Sequence, residues 1–178
     1  MTYEQAVYYK LLVLCGYDEE LHKYIDEQLQ NQDPLSDIIV QLSFVNYDRT
    51  KLLCVLDEYI SQVKEAEIDY DKTVFNMVLS FLREKYESKA MSVRDITDLM
   101  YQFAVMAERE LVNPWQAMYI TGDYYELAEN GCFDKEIFDR EFNAFVLDGV
   151  CPSDFQILTL KPKKESFFAK LLRKIIRK

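Results

Sequence analysis

The chain reads as an all-α domain, a compact bundle of about eight or nine helices joined by short loops, and two features predict it. Apolar residues recur at three- and four-residue spacings along nearly the whole chain. Between those runs stand helix caps rather than the clustered turn residues of a β fold. Composition agrees: of 178 residues only four are Gly and four Pro, while 49% are apolar and 29% charged, the balance of an ordinary globular domain. That length suits one domain with a single core.

Tyr3, Ala6, Val7, Leu11 and Leu14 make one face of a first helix, with Gly16 placed to cap its C-terminus. Asp18 is placed to cap a second, with the stripe Leu21, Tyr24, Ile25 and Leu29, running to about Asn31; Gln28 falls on the same face and is polar. Asp33-Pro34 has the form of an N-cap followed by Pro at the first helical position, before Leu35, Ile38, Ile39 and Leu42. Asp48 opens the next helix, whose buried set is Leu52, Leu53, Leu56, Tyr59 and Ile60. After the polar KEAEIDYD, a fifth helix carries Val74, Phe75, Val78, Leu79, Leu82 and Tyr86. Ser92 and Asp95 have capping-box spacing ahead of Ile96, Leu99, Met100, Phe103, Met106 and Ala107. Asn113-Pro114 repeats the cap-and-Pro signal before Trp115, Met118 and Tyr119, and Gly122 interrupts or kinks that helix before Tyr125, Leu127 and Ala128. Asn130-Gly131 ends it, and Asp134 caps a helix with Ile137, Phe138, Phe142, Phe145 and Val146. FQILTL at 155–160 is extended, and with no partner strand it reads as a connector. No helical-hairpin unit repeats its spacing, which favours a bundle over a solenoid.

The organisation that follows is an acidic helical domain over 1–150, an extended connector over 151–162 and a basic amphipathic helix over 163–178. Charge divides the same way. Residues 161–178 hold eight Lys or Arg and one acid, a charge of +7, while residues 1–160 sum to −17. The acidic body repels phosphates, so no nucleic acid is expected on it, and it attracts basic partners. Pro162 separates the tail, and Ser166 is placed to cap a new helix. Phe167, Phe168, Leu171, Leu172, Ile175 and Ile176 project onto one half of that helix, and Lys170, Arg173, Lys174 and Arg177 onto the other. Such a helix docks on its own domain, lies on an anionic membrane surface or enters a partner's groove, and the first is favoured because packing usually orders so short a helix.

Several chemistries lack their residues. Cys15, Cys54, Cys132 and Cys151 stand far apart and His22 is the only histidine. No metal or cofactor is therefore expected, and the cysteines read as buried thiols of a reduced compartment. Glu19 and His22 have the Glu-x-x-His spacing of half a di-iron site, but a second His is missing, and the surrounding acids make a solvated face the simpler reading. An EF-hand alignment on Gly131 puts Ala128 and Ile137 where oxygen ligands belong. Phosphate-cradling Gly loops and a nucleophile elbow are absent. The N-terminus has no basic leader and no apolar run nears the roughly 20 residues of a bilayer span, so a cytoplasmic location is expected.

The remaining signal is aromatic. The chain holds 13 Tyr, and they recur among acids in GYDEELHKYIDE, EIDYDK and GDYYELAEN. A tyrosine offers a large rigid face at low entropic cost, and acids around it steer a basic ligand. Tyr17, Asp18, Glu19, Tyr24, Tyr70, Asp71, Tyr124, Tyr125 and Glu126 are thus candidate partner-binding residues, with no catalytic residue singled out. On these acid–tyrosine stretches and its overall character over 1–150, the chain resembles bacterial toxin-immunity-type proteins. That resemblance implies a non-enzymatic, cytoplasmic protein–protein interaction with a basic partner. Competing readings are an enzyme or small-ligand protein using carboxylates, or Trp115 and nearby aromatics, in an interhelical pocket, and a regulatory protein associated with a membrane surface.

Overall fold

The computed structural model describes residues 1–45 and 48–152. Among these, eight α-helices follow in order: α1 (Tyr3–Leu14), α2 (Asp18–Asn31), α3 (Asp37–Phe44), α4 (Arg49–Ile60), α5 (Phe75–Glu87), α6 (Val93–Met106), α7 (Trp115–Glu129) and α8 (Lys135–Asp148). A 3-10 turn at Glu65–Glu67 and a π turn at Tyr70–Val74 join α4 to α5, and no strand occurs among the described residues. FQILTL and the basic tail lie outside the described residues.

Helix α1 is the spine, because it is apolar on two sides. Val7, Leu11 and Leu12 enter a larger core with Val78, Leu82, Phe103, Trp115, Phe138 and Phe145 from α5–α8. Ala6 and Val13 enter a smaller core with Leu21, Ile25, Ile39, Leu42, Leu52 and Leu56 from α2–α4. The single core expected from length is therefore two cores sharing one helix. A capping box fixes the start of α1: the Gln5 N–H donates to Thr2 Oγ1 at 3.1 Å, and the Thr2 N–H donates to Gln5 Oε1 at 2.8 Å. Its end is a Schellman turn, with Gly16 at φ 89° and the Tyr17 N–H donating to the Leu12 carbonyl at 2.8 Å.

The caps at Asp48, Ser92 and Asp134 stand as expected, each side chain accepting from backbone N–H groups of the first turn. Others shift. Asp18 is the first residue of α2 rather than its cap, which is Tyr17. Its carboxylate, with Glu19 and Glu20, instead faces the positive end of the helix dipole. Pro34 lies in the turn before α3, whose N-cap is Ser36, leaving Leu35 37% exposed. Pro114 itself occupies the N-cap of α7. The fifth helix opens with a wide turn closed by the Val74 N–H on the Asp69 carbonyl. That extra residue lets adjacent Val74 and Phe75 both reach the core.

Gly122 does not break α7. It sits opposite α6, where an added Cβ would stand 3.8 Å from the Thr97 carbonyl oxygen. Thr97 and Thr121, both fully buried, satisfy their hydroxyls on their own helices, at Arg94 and Ala117. Small and self-satisfied residues thus let α6 and α7 pack as a close hairpin. Further expectations fail at the surface: Met106 and Leu127, placed on the apolar stripes of their helices, are 46% and 38% exposed. Leu29 is 42% exposed near the end of α2. The cysteines are not core thiols: Cys54, Cys132 and Cys151 are exposed and Cys15 half-buried. Cys54 lies on the outer side of α4, since Leu52 and Leu56 take the inner one.

Candidate partner-binding surface

The fold separates the three acid–tyrosine stretches and treats them differently. In the second, Tyr70 and Asp71 belong to the π turn, and the protein supplies their cation. The Arg109 guanidinium lies 4.3 Å from the Tyr70 ring centroid, bonds Asp71 at 3.1 and 3.3 Å, and reaches Glu65 at 3.3 Å. A cation on an aromatic face within carboxylates is what this stretch was expected to take from a partner. Trp115 donates its indole N–H to the Tyr70 carbonyl at 3.3 Å and is fully buried, so it belongs to the core rather than to a ligand pocket.

The third stretch is also engaged internally. Tyr124 is 3% exposed and packs edge-on against Phe133 at 5.2 Å, which removes it from any surface. The Lys135 ammonium stands 5.3 Å from the Tyr125 ring and pairs with Glu129 at 2.7 Å. Glu126 pairs with Arg94 at 3.5 Å. Alternation along α7 explains the split: Tyr124 points inward with Thr121 and Ala128, and Glu126 points out.

In the first stretch Glu20 is paired while Glu19 and Glu27 stay exposed, and the fold adds to it two tyrosines not singled out from sequence. Tyr8 and Tyr9 of α1 form a chain of rings with Tyr24 of α2, at centroid distances of 5.0 Å for Tyr8–Tyr9 and 4.8 Å for Tyr9–Tyr24. Nearby, Tyr3 stacks on Tyr59 at 4.8 Å, and the Tyr59 hydroxyl donates to the Met1 carbonyl at 2.8 Å. Tyr17 lies edge-on to Phe81 of α5 at 5.3 Å. Burial, then the charges of Glu20 and Glu84, raise the Tyr8 phenol pKa well above the usual tyrosine range. Burial does the same for Tyr9, aided by its tyrosine neighbours and by Glu27 and Glu20.

One ion pair ties this face together. Glu20 accepts from Lys85 at 2.8 Å across α2 and α5, and Lys85 also lies 5.0 Å from the Phe81 ring. The hydrogen bond that Lys85 donates holds the Glu20 carboxyl below its ordinary value and the Lys85 ammonium above its own. Open depressions flank the pair. One, of about 530 Å³, is lined by Tyr8, Lys72, Thr73, Asn76, Met77, Ser80, Phe81 and Glu84. The other, of about 450 Å³, is lined by Gly16, Tyr17, Asp18, Glu19, Glu20, Lys23, Lys85, Ala90 and Met91. Glu19, Glu27 and Glu84 are exposed along this face. His22 is half-buried within α2, not on a solvated face.

The sequence signal for Tyr8 was present as the pair Tyr8-Tyr9, but neither has an acid beside it in the chain. Their acids arrive from α2 and α5 only on folding. Among the described residues no group of three or more His, Cys, Asp or Glu side chains is placed to hold a metal ion. The tail residues Phe167, Phe168, Lys170, Leu171, Leu172, Arg173, Lys174 and Ile175 lie outside the described residues. No family model, curated protein sequence or solved structure matches the chain.

Proposed function

We propose that this protein is a non-enzymatic interaction module that binds a basic protein partner on the face formed by α1, α2 and α5, in the manner of an immunity-type protein. The observation that carries the reading is the contrast between the stretches. Tyr70 and Tyr125 have cations of their own, whereas the Tyr8–Tyr9–Tyr24 chain lies among Glu20, Glu27 and Glu84 beside two open depressions. A partner's Lys or Arg placed there would meet an aromatic face and carboxylates at once, the arrangement that Arg109 makes internally. Lys85 and Lys23 at Glu20 set the register, since a second cation is repelled there and accepted nearer Glu84 or Asp18. The reading places the protein in the bacterial cytoplasm, in keeping with its exposed free thiols at Cys54 and Cys132. No helix among the described residues is long and apolar enough to cross a membrane.

The test is affinity capture from native lysate with the full chain and with the double variant Glu19→Lys/Glu84→Lys, its fold checked by circular dichroism. The wild type is expected to retain a protein of high isoelectric point. Retention should fall about tenfold or more with the variant, as losing ~1.4 kcal/mol of charge complementarity entails. Equal retention by both chains, or recovery of small metabolites alone, would sink the reading.

A further inference from the structure

The depression beside Tyr8 is built on two parallel rows of α5 and the π turn that opens it. Lys72, Asn76, Ser80 and Glu84 form an outer row and are all exposed. Thr73 and Met77, half-buried, and Phe81, buried, form an inner one. Each row advances by four residues, so the two are neighbouring ridges and the space between them is a groove running with the helix. Its deeper side carries Met77 and Phe81, and Tyr8 of α1 joins the lining.

The groove is short-sided in the middle and charged at both ends. Asn76 and Ser80 are small, whereas Lys72 and Glu84 stand about 18 Å apart along the helix. Among the described residues neither end charge makes an ion pair. Asp69, one turn before Lys72, is bonded instead by the Lys72 and Thr73 N–H groups and by the Thr73 hydroxyl at 2.7 Å. Lys85, next to Glu84 in the chain, is taken by Glu20 at 2.8 Å. The separation of the ends exceeds the screening length of ~8 Å at physiological salt, so neither end neutralises the other.

A helix fits such a groove. Ridges of one helix pack into the four-residue grooves of another at axis separations of roughly 8–10 Å, which short facing side chains permit. An extended strand would set its own N–H and C=O groups against side chains of α5, with no free backbone to pair them. About three turns of helix cover the distance from Lys72 to Glu84. Complementarity then asks for apolar side chains over Met77 and Phe81, a Lys or Arg at the Glu84 end and an Asp or Glu at the Lys72 end.

We infer that the basic partner docks here through one amphipathic helix, laid along α5 with a cation at Glu84 and an acid at Lys72. This inference rests on the proposed function of the α1–α2–α5 face and adds the form and polarity of the segment bound. Of the two acids whose charges act on the Tyr8 phenol, Glu20 is held by Lys85, which leaves Glu84 to receive the cation.

The experiment repeats the capture from native lysate with full-length Ser80→Trp, Ser88→Trp and Lys72→Glu, each matched to the wild type by circular dichroism. Ser80→Trp fills the groove without altering charge and should lower retention of the basic protein about tenfold or more. Ser88→Trp, at the C-terminal end of α5 and outside the depression, should leave retention unchanged. Lys72→Glu makes the face more acidic, which by charge alone favours a basic partner. It should nevertheless weaken retention about threefold or more, because the new carboxylate meets the acid of the helix. A photo-cross-linker, p-benzoylphenylalanine, at position 76 should link residues three, four or seven apart in one segment of the retained protein. Wild-type retention by Ser80→Trp, stronger retention by Lys72→Glu, or links at alternate residues or in separate segments would overturn the helix and leave the broader reading standing. A wild type that retains no basic protein removes both.

Discussion

Lys89 and Glu108 hold φ values of 57° and 56° at the C-terminal turns of α5 and α6, where a glycine would be at ease. Both turns are Schellman closures: the Ala90 N–H reaches the Lys85 carbonyl at 3.1 Å, and the Arg109 N–H the Ala104 carbonyl at 3.1 Å. The left-handed conformation costs an L-residue about 1–2 kcal/mol, and a glycine adds about 0.5–1 kcal/mol of chain entropy to be lost on folding. The first term wins at an exposed site. Lys89→Gly is therefore expected to stabilise the protein by about 0.5–1 kcal/mol, read as a higher midpoint in urea unfolding; a lower midpoint refutes the balance. Glu108 is less suitable for the substitution because it lines a depression shared with Tyr70. At the same scale, burial pushes the Cys15 thiol up to about 11. Burial raises the Cys151 thiol too, so these two keep part of the inert character expected of all four.

Among elements, α6 and α7 make the sharpest case. Periodicity put Gly122 inside an apolar run, and a lone glycine there suggested a break. The helix runs through it because hairpin packing on α6 outweighs the propensity loss of about 1 kcal/mol that glycine carries relative to alanine. A Cβ at 3.8 Å from the Thr97 oxygen is in ordinary van der Waals contact, so the space is available. Gly122→Ala should stabilise the protein by about 0.5–1 kcal/mol, measured by thermal or urea unfolding. A loss of stability would show that the space beside Thr97 does not accept a methyl group. Helix α1 teaches the opposite lesson. Its C-terminal cap is readable from Gly16, but its two-sided burial is not, since either face alone would satisfy the stripe.

Over the whole molecule the tyrosines give the fold a measurable pH signature. Burial raises the phenols of Tyr8 and Tyr9 far above their unfolded value near 10, so the folded state keeps protons that the unfolded state releases. Stability from these groups is fully present below about pH 10 and falls as pH rises beyond it. Acid conditions act elsewhere: the Glu20 carboxyl, held low by Lys85, loses its contribution as pH drops through the carboxylate range. Absorbance titration at 295 nm should find some tyrosines un-ionised at pH 11 in folded protein and all of them ionising in urea. Unfolding midpoints should decline between pH 10 and 11.5. Full ionisation at pH 11 without unfolding would contradict the buried ring chain.

By itself the sequence determined that the chain is helical, where the helices capped by Asp48, Ser92 and Asp134 begin, and many of the residues that form the cores. Those properties depend on local periodicity and on caps a few residues apart, as at Ser92–Asp95 and Asp134. It also marked acid–tyrosine stretches as the place to look for binding. Tertiary structure decided what each of them meets. Arg109 comes from 38 residues beyond Asp71 to close the second, and Tyr124 turns into the core. Tyr8 gains Glu20 and Glu84 from two other helices. Charge and aromatic surface are chemical facts of the chain, but what stands next to them is set by long-range packing, which no local pattern encodes.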